Sequence, residues 1–259
     1  DAGDTLTPAA APVGSPRGAG EVALSISELS VKYGGLYALD NATFDVTRGT
    51  IVGLIGPNGA GKTTMLDAIC GYAPSTGTIT LGATRLDAVA PHGRARRGLG
   101  RTFQGLDLYE DLSVEENIAV GRSTGRDGGR TVAEVLDLLH LTAVAERPVS
   151  ELSQGQRQMV SIGRALAGNP DVLLLDEPAA GLDTTESEWL AGQLRSIRDQ
   201  GTTVFLIDHD MDLVLGLCDH IHVLDFGQLI ASGTPDEVRA DARVAEAYLG
   251  TGLADDDDN

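Results

Sequence analysis

The sequence predicts an α/β fold in which a mostly parallel sheet carries an antiparallel β subdomain and a helical subdomain. Three patterns predict it. Residues 51–55, 172–175 and 203–207 are continuous apolar runs, as expected of parallel strands covered on both faces. Residues 23–33 and 42–47 instead alternate apolar and polar side chains, which suits antiparallel strands with one face in water. Residues 105–168 contain no strand pattern, while 114–120, 131–139 and 156–166 show helical spacing.

The remaining elements fall between these. Residues 62–71 form a helix that opens directly from a glycine-rich loop, and 76–81 form another strand. Residues 185–200 lie between two apolar strands, with Leu190, Leu194 and Ile197 on one helical face, so they predict a crossover helix. Residues 221–224 and 228–232 flank Asp225, Phe226 and Gly227 as a hairpin. One folded domain is expected over 21–250. Residues 1–20 are rich in Ala, Pro, Gly, Ser and Thr, and predict a disordered leader without the cationic start and apolar centre of a signal peptide. The chain begins at Asp1 rather than Met, which suits a trimmed start or a domain cut from a longer polypeptide. Residues 251–259 carry four consecutive Asp and predict a self-repelling acidic tail.

Composition narrows the functional classes. Hydrophobic residues make up 42% of 259, enough to build a core. Acidic residues number 38 against 19 basic, a net charge of -19, which argues against a nucleic-acid-coating protein. Arg94, Arg96, Arg97 and Arg101 form a local basic cluster, better suited to a solvated or salt-bridged face than to nucleic acid. Cys70 and Cys218 sit among apolar residues and predict buried free thiols. No apolar run approaches the roughly 20 residues of a membrane helix.

Gly56, Pro57, Asn58, Gly59, Ala60, Gly61, Lys62 and Thr63 match G-x-x-x-x-G-K-[ST] in full, between a strand and a helix. Such a loop turns backbone N–H groups around a phosphate, and the helix behind it presents a partial positive charge to the same anion. Lys62 would reach the β- and γ-phosphates, the Thr63 hydroxyl would bind Mg²⁺, and Thr64 would contact the α-phosphate. The core is therefore expected to be a P-loop NTPase core binding a nucleoside triphosphate.

Four further patterns bear on the chemistry. Asp176 and Glu177 end an apolar strand, where Asp176 can hold Mg²⁺ and Glu177 can act as general base; a solvated acidic turn has the same pattern. His209 follows the strand at 203–207 and fits either a water-orienting role or a structural hydrogen bond. Gln104 ends Arg101-Thr102-Phe103-Gln104 and fits either a Mg²⁺ ligand or a plain loop amide. Leu152-Ser153-Gln154-Gly155-Gln156 opens a helix with Ser153 as N-cap. That is either a simple capped helix or a second anion site, and a second anion site makes sense if it completes the pocket of another copy.

Taken in order, GPNGAGKTT, RTFQ, LSQGQRQ, VLLLDEP, AGLD and the histidine of LIDHDM resemble the ATP-binding cassette family over about residues 23–250. The resemblance implies that Tyr33 stacks on adenine and that Gln104 couples the Mg²⁺ site to a membrane partner. It implies that Ser153, Gly155 and Gln156 belong to a signature turn contacting the γ-phosphate of an opposite subunit. It places Asp183 at the dimer seam and makes His209 the switch histidine. Gln154 departs from the usual LSGGQ, while Gly155 is retained. The implied partners are a second copy or paralogous ATPase subunit, and membrane permease subunits, with this chain cytoplasmic and peripheral on the inner face of the cell membrane.

Within the family, Ile207-Asp208-His209-Asp210-Met211, Leu224-Asp225-Phe226-Gly227, Ser232-Gly233-Thr234-Pro235 and Ala247-Tyr248-Leu249-Gly250 resemble ATPases of branched-chain amino-acid importers, with Asp208 in place of the usual Glu. Relatives serving urea, amides or lipopolysaccharide export share much of this tail, and a soluble non-transport ATPase is the remaining alternative. Asp225-Phe226-Gly227 matches a protein-kinase tripeptide, but the other kinase motifs are missing.

Overall fold

The structure, a computed structural model, describes residues 20–103, 105, 107–122 and 129–249. The leader expected before Gly20 and the acidic tail lie outside the described residues.

The alternating segments form a four-stranded antiparallel sheet. Strand β1 (Val22–Tyr33) pairs with β2 (Leu36–Thr47), burying Leu24, Ile26, Leu29 and Val31 against Leu39, Ala42, Phe44 and Val46. β2 starts at Leu36, well before residue 42. Register shifts and the positive φ of Asn41 break the period-2 pattern between Leu39 and Ala42, which hid the first half of the strand. Beyond β3 (Ile51–Ile55), β4 (Thr76–Leu81) pairs with β1, and the two-residue β5 (Thr84–Arg85) closes the order β2-β1-β4-β5.

The second sheet has six strands. With β6 (Leu99–Arg101), β7 (Val172–Asp176), β8 (Thr203–Ile207), β9 (His220–Asp225) and β10 (Gln228–Gly233), the order is β10-β9-β3-β8-β7-β6. All neighbours are parallel except the edge pair β9–β10. Every residue of β3, β7 and β8 is buried, as their unbroken apolar runs demand.

Helix α1 (Lys62–Cys70) follows β3, and α2 (Pro91–Arg96) leads into β6. Helices α3 (Val114–Arg122), α4 (Val132–Leu138) and α5 (Gln154–Ala167) lie between β6 and β7 in the chain. Helix α6 (Thr184–Asp199) is the crossover from β7 to β8, with Leu190, Leu194 and Ile197 fully buried. Helices α7 (Met211–Leu217), α8 (Pro235–Ala240) and α9 (Ala242–Leu249) complete the chain.

The six-stranded sheet separates two cores. Val172 and Leu174 point into one with Phe44, Met65, Leu66 and Phe205; Leu173 and Leu175 point into the other with Ile118, Met159, Ile162 and Leu194. This is strand alternation with both faces covered. Each fully buried Leu, Ile or Met contributes about 1.5–3 kcal/mol, so both layers hold the ends of β3, β7 and β8 firmly in register. Those carboxyl ends carry the candidate site.

Candidate functional site

The glycine loop leaves β3 by a turn that only glycine permits at its first position. Gly56 has φ 153°, and a Cβ there would stand 2.0 Å from Leu224 O. Gly61 is the N-cap of α1, and no side chain caps that helix. Its first N–H groups are therefore left for an anion to accept from. Lys62 is buried and donates through Nζ to Gly56 O at 2.7 Å and Pro57 O at 2.9 Å. Burial lowers its pKa, while Glu177 and Asp176 nearby hold it up. Asn58, Gly59 and Thr63 are exposed and Thr64 is half-buried, so the outer rim of the loop is accessible.

Asp176 ends β7 as a buried carboxylate. Burial raises its pKa, and Arg101 opposes the rise with Nη2 at 3.2 Å from Asp176 Oδ2. Arg101 also donates to Asp67 Oδ1 on α1 at 2.6 Å, and its guanidinium lies over the Phe103 ring at 4.9 Å. Glu177 takes a left-handed φ of 47° and donates its N–H to Ile207 O at 2.8 Å. A non-glycine residue in that region is strained, and the strain turns the chain out of the sheet at the acidic pair. This end of the sheet thus holds one buried ammonium under the electrostatic influence of two carboxylates, beside an uncapped helix terminus.

Asp208 follows β8 and is buried. Its Oδ2 accepts from Ala179 N at 3.0 Å, and its Oδ1 accepts from His209 N at 2.8 Å and Asp210 N at 3.0 Å. Burial raises its pKa, and the backbone donors of Asp210 and Ala179 oppose that. Asp208 therefore ties the loop after Glu177 to the loop carrying His209. The His209 ring is exposed, with Nδ1 3.7 Å from Asp208 Oδ1.

Within one copy the Ser153 turn finds its hydrogen-bond partners in its own first turn and on α6. Ser153 and Gln156 form a capping box at the start of α5. Ser153 Oγ and Gly155 N–H both donate to Glu186 Oε1, each at 3.1 Å. Asp183 is the N-cap of α6 and accepts from Glu186 N at 2.8 Å. Tyr33 stands 53% exposed at the end of β1, open to a stacking partner. Gln104 lies outside the described residues.

Three contributors were not assigned from sequence. Gly227, in the hairpin turn, donates its N–H to Ala60 O at 2.9 Å and accepts from Asp40 N at 2.9 Å, bracing the phosphate loop against β2. Arg101, read as part of a basic cluster, is an internal counter-charge. Arg94 of the same cluster is also buried, donating to Ala68 O at 2.8 Å and Ile69 O at 2.7 Å at the end of α1. A salt-bridged face, the second option for that cluster, is the outcome at Arg101, whereas Arg94 is held by backbone carbonyls.

The ABC transporter family model matches residues 39–180, which contain the phosphate loop, the Ser153 turn and the Asp176-Glu177 pair. The chain belongs to the ABC transporter ATP-binding family. As an ABC cassette it is the ATPase subunit of a transporter. A second model, described as branched-chain amino acid ATP-binding cassette transporter, matches residues 228–254. The chain is 38% identical over 248 residues to the high-affinity branched-chain amino acid transport ATP-binding protein LivG of Salmonella typhimurium, covering 88% of this chain and 97% of that protein. Among solved structures it is similar to an ABC transporter cassette in its ADP conformation, with TM-score 0.79, 28% identity and coverage of 88% and 99%. A dimeric post-hydrolysis cassette bound to ADP and Pi matches with TM-score 0.72 and 26% identity, covering 82% of this ABC chain and 98% of that one. No helix among the described residues is long and apolar enough to cross a membrane.

Proposed function

We propose that this ATPase grips two Mg-ATP between two copies, head to tail, and so drives a permease for branched-chain or other hydrophobic amino acids from the inner face of the cell membrane. The observation that carries the two-copy reading is the separation of donors. Within one copy Lys62 and the α1 terminus serve one anion, while Ser153 and the α5 terminus face Glu186 instead. A second copy supplies the phosphate that the Ser153 turn lacks.

In this reading Gly56 to Thr64 cradle the phosphates, Lys62 exchanges its two loop carbonyls for phosphate oxygens, and Tyr33 stacks on the adenine. Glu177 takes the proton of the attacking water, and His209 orients that water beside the γ-phosphate. Ser153, Gly155 and Gln156 contact the nucleotide of the other copy, with Asp183 at the seam. The donor set fits Mg²⁺. Thr63 offers a hydroxyl, Asp176 a carboxylate and Gln104 an amide oxygen, and no group of three His, Cys, Asp or Glu forms a complete cage among the described residues. Mg²⁺ favours such a partial set, completed by phosphates and water. When bound it neutralises phosphate charge.

The cargo assignment rests on full-length similarity to an amino-acid transport relative and on the second family match at the C-terminal end. Cells lacking this chain should lose uptake of radiolabelled leucine and keep uptake of urea. Unchanged leucine uptake would exclude the amino-acid assignment and leave the ATPase untouched.

A further inference from the structure

We propose that Glu186 is a resident anion of the Ser153 turn, which it occupies in a single copy and vacates when a second copy docks its ATP there. This rests on the two-copy reading above. The carboxylate takes the same donors that a terminal phosphate would need. Ser153 Oγ and Gly155 N–H converge on one oxygen, Glu186 Oε1, at 3.1 Å each. The Ser153 hydroxyl also accepts from Gln156 N at 3.3 Å, so the turn is internally complete only while Glu186 is present. A Cβ on Gly155 would stand 2.9 Å from that oxygen, so the bare glycine is what lets an anion come this close.

The same residue is anchored from behind. Its N–H donates to Asp183 Oδ1 at 2.8 Å, fixing the first turn of α6. The side chain can therefore leave by rotation while the backbone stays in place. Its negative charge lies at the positive ends of two helices, α5 and α6, which stabilises the occupied state. Phosphate and carboxylate cannot share these donors, and like charges at that separation repel. Closing two copies thus expels Glu186 into water. Once the phosphate has been cleaved, the returning carboxylate refills the turn and favours separation. Glu186 thereby sets the ATP concentration at which two copies close.

The test uses the full chain in a hydrolysis-dead background. Dimer formation by the Glu177→Gln chain is followed by light scattering during a Mg-ATP titration, and compared with Glu177→Gln/Glu186→Gln. The second chain should close at about tenfold lower Mg-ATP. ATP affinity of single copies, measured at protein concentrations too low for dimers, should not change, since Glu186 is hydrogen-bonded to the Ser153 turn and to Asp183 rather than through the phosphate loop. Glu188→Gln removes the same charge from an exposed position on α6 and should leave the midpoint where it was. A Glu186→Gln midpoint that is unchanged or higher overturns the proposal, as does an equal shift from Glu188→Gln. Glu186→Ala serves in the same titration should the amide variant fold poorly. If the Glu177→Gln parent stays monomeric at every Mg-ATP concentration, it is the two-copy reading that falls.

Discussion

Arg101 Nη2 lies 3.2 Å from Asp176 Oδ2, and both side chains are withdrawn from water. The same guanidinium reaches Asp67 Oδ1 at 2.6 Å, so one residue on β6 ties the first helix to the acidic end of β7. Breaking a buried pair by deleting one partner costs about 3–5 kcal/mol, because the other charge stays behind without compensation. Arg101→Met should therefore destabilise the chain by about 3 kcal/mol in denaturant unfolding. Arg101→Lys should recover only part of this, since a single ammonium cannot reproduce a fork that spans two carboxylates. A loss under about 1 kcal/mol for Arg101→Met would mean that the pair does not hold this end of the sheet.

Gly227 is the second structural test. It has φ 79°, and a Cβ would stand 2.8 Å from Ala38 O. Gly227→Ala should cost about 1–3 kcal/mol through this strain. It should also weaken ATP binding, because the Gly227 N–H holds Ala60 O in the phosphate loop. Gly201 has φ 91° with nothing near its Cβ position, on the far connection between α6 and β8. Gly201→Ala should destabilise without changing ATP affinity; equal effects on affinity at both positions would contradict the bracing role.

His222 predicts a pH dependence. It is buried between Asp45 O at 3.3 Å and Ser232 Oγ at 2.9 Å. Burial, with His220 beside it, pushes its pKa from 6.5 down to about 4. The folded chain thus keeps His222 neutral where the unfolded chain protonates it. Its contribution is flat above the unfolded value and turns against folding as pH drops from 6.5 toward 4. Buried Asp176 and Asp208, with raised pKa values, act in the opposite direction, so the comparison must be between wild type and variant. His222→Gln should remove about 2 kcal/mol of acid sensitivity at pH 5. Parallel stability curves for the two chains between pH 7 and pH 5 would refute this.

Lys62 has its ammonium on two loop carbonyls, Gly56 O and Pro57 O. Lys62→Ala removes the point charge proposed to meet the β- and γ-phosphates and should abolish ATP binding in equilibrium titration. Retained affinity would contradict the phosphate-loop assignment.

The sheet was legible because burial on both faces confines polar residues to the strand ends, as at Asp176 and Thr203. Ile51–Ile55, Val172–Asp176 and Thr203–Ile207 therefore announced themselves, and the fold class followed. Leu99–Arg101 did not, because a three-residue edge strand has too few positions for a period and carries an arginine. Pro235–Ala240 and Ala242–Leu249 were missed as well, since short helices offer little periodicity. Local motifs marked the phosphate loop, the acidic pair and the Ser153 turn. Long-range partners left no local trace: Arg101 with Asp176, Gly227 with Ala60, Asp208 with Ala179 and Glu186 with Ser153 are separated by 75, 167, 29 and 33 positions.

The central claim is that neither copy can finish the ATP pocket unaided. Sedimentation of the Glu177→Gln chain at saturating Mg-ATP tests it most directly. A dimer carrying two ATP, dissolving when nucleotide is withdrawn, is the expected result. A monomer that binds one Mg-ATP with full affinity and never pairs, at any protein concentration, would contradict it.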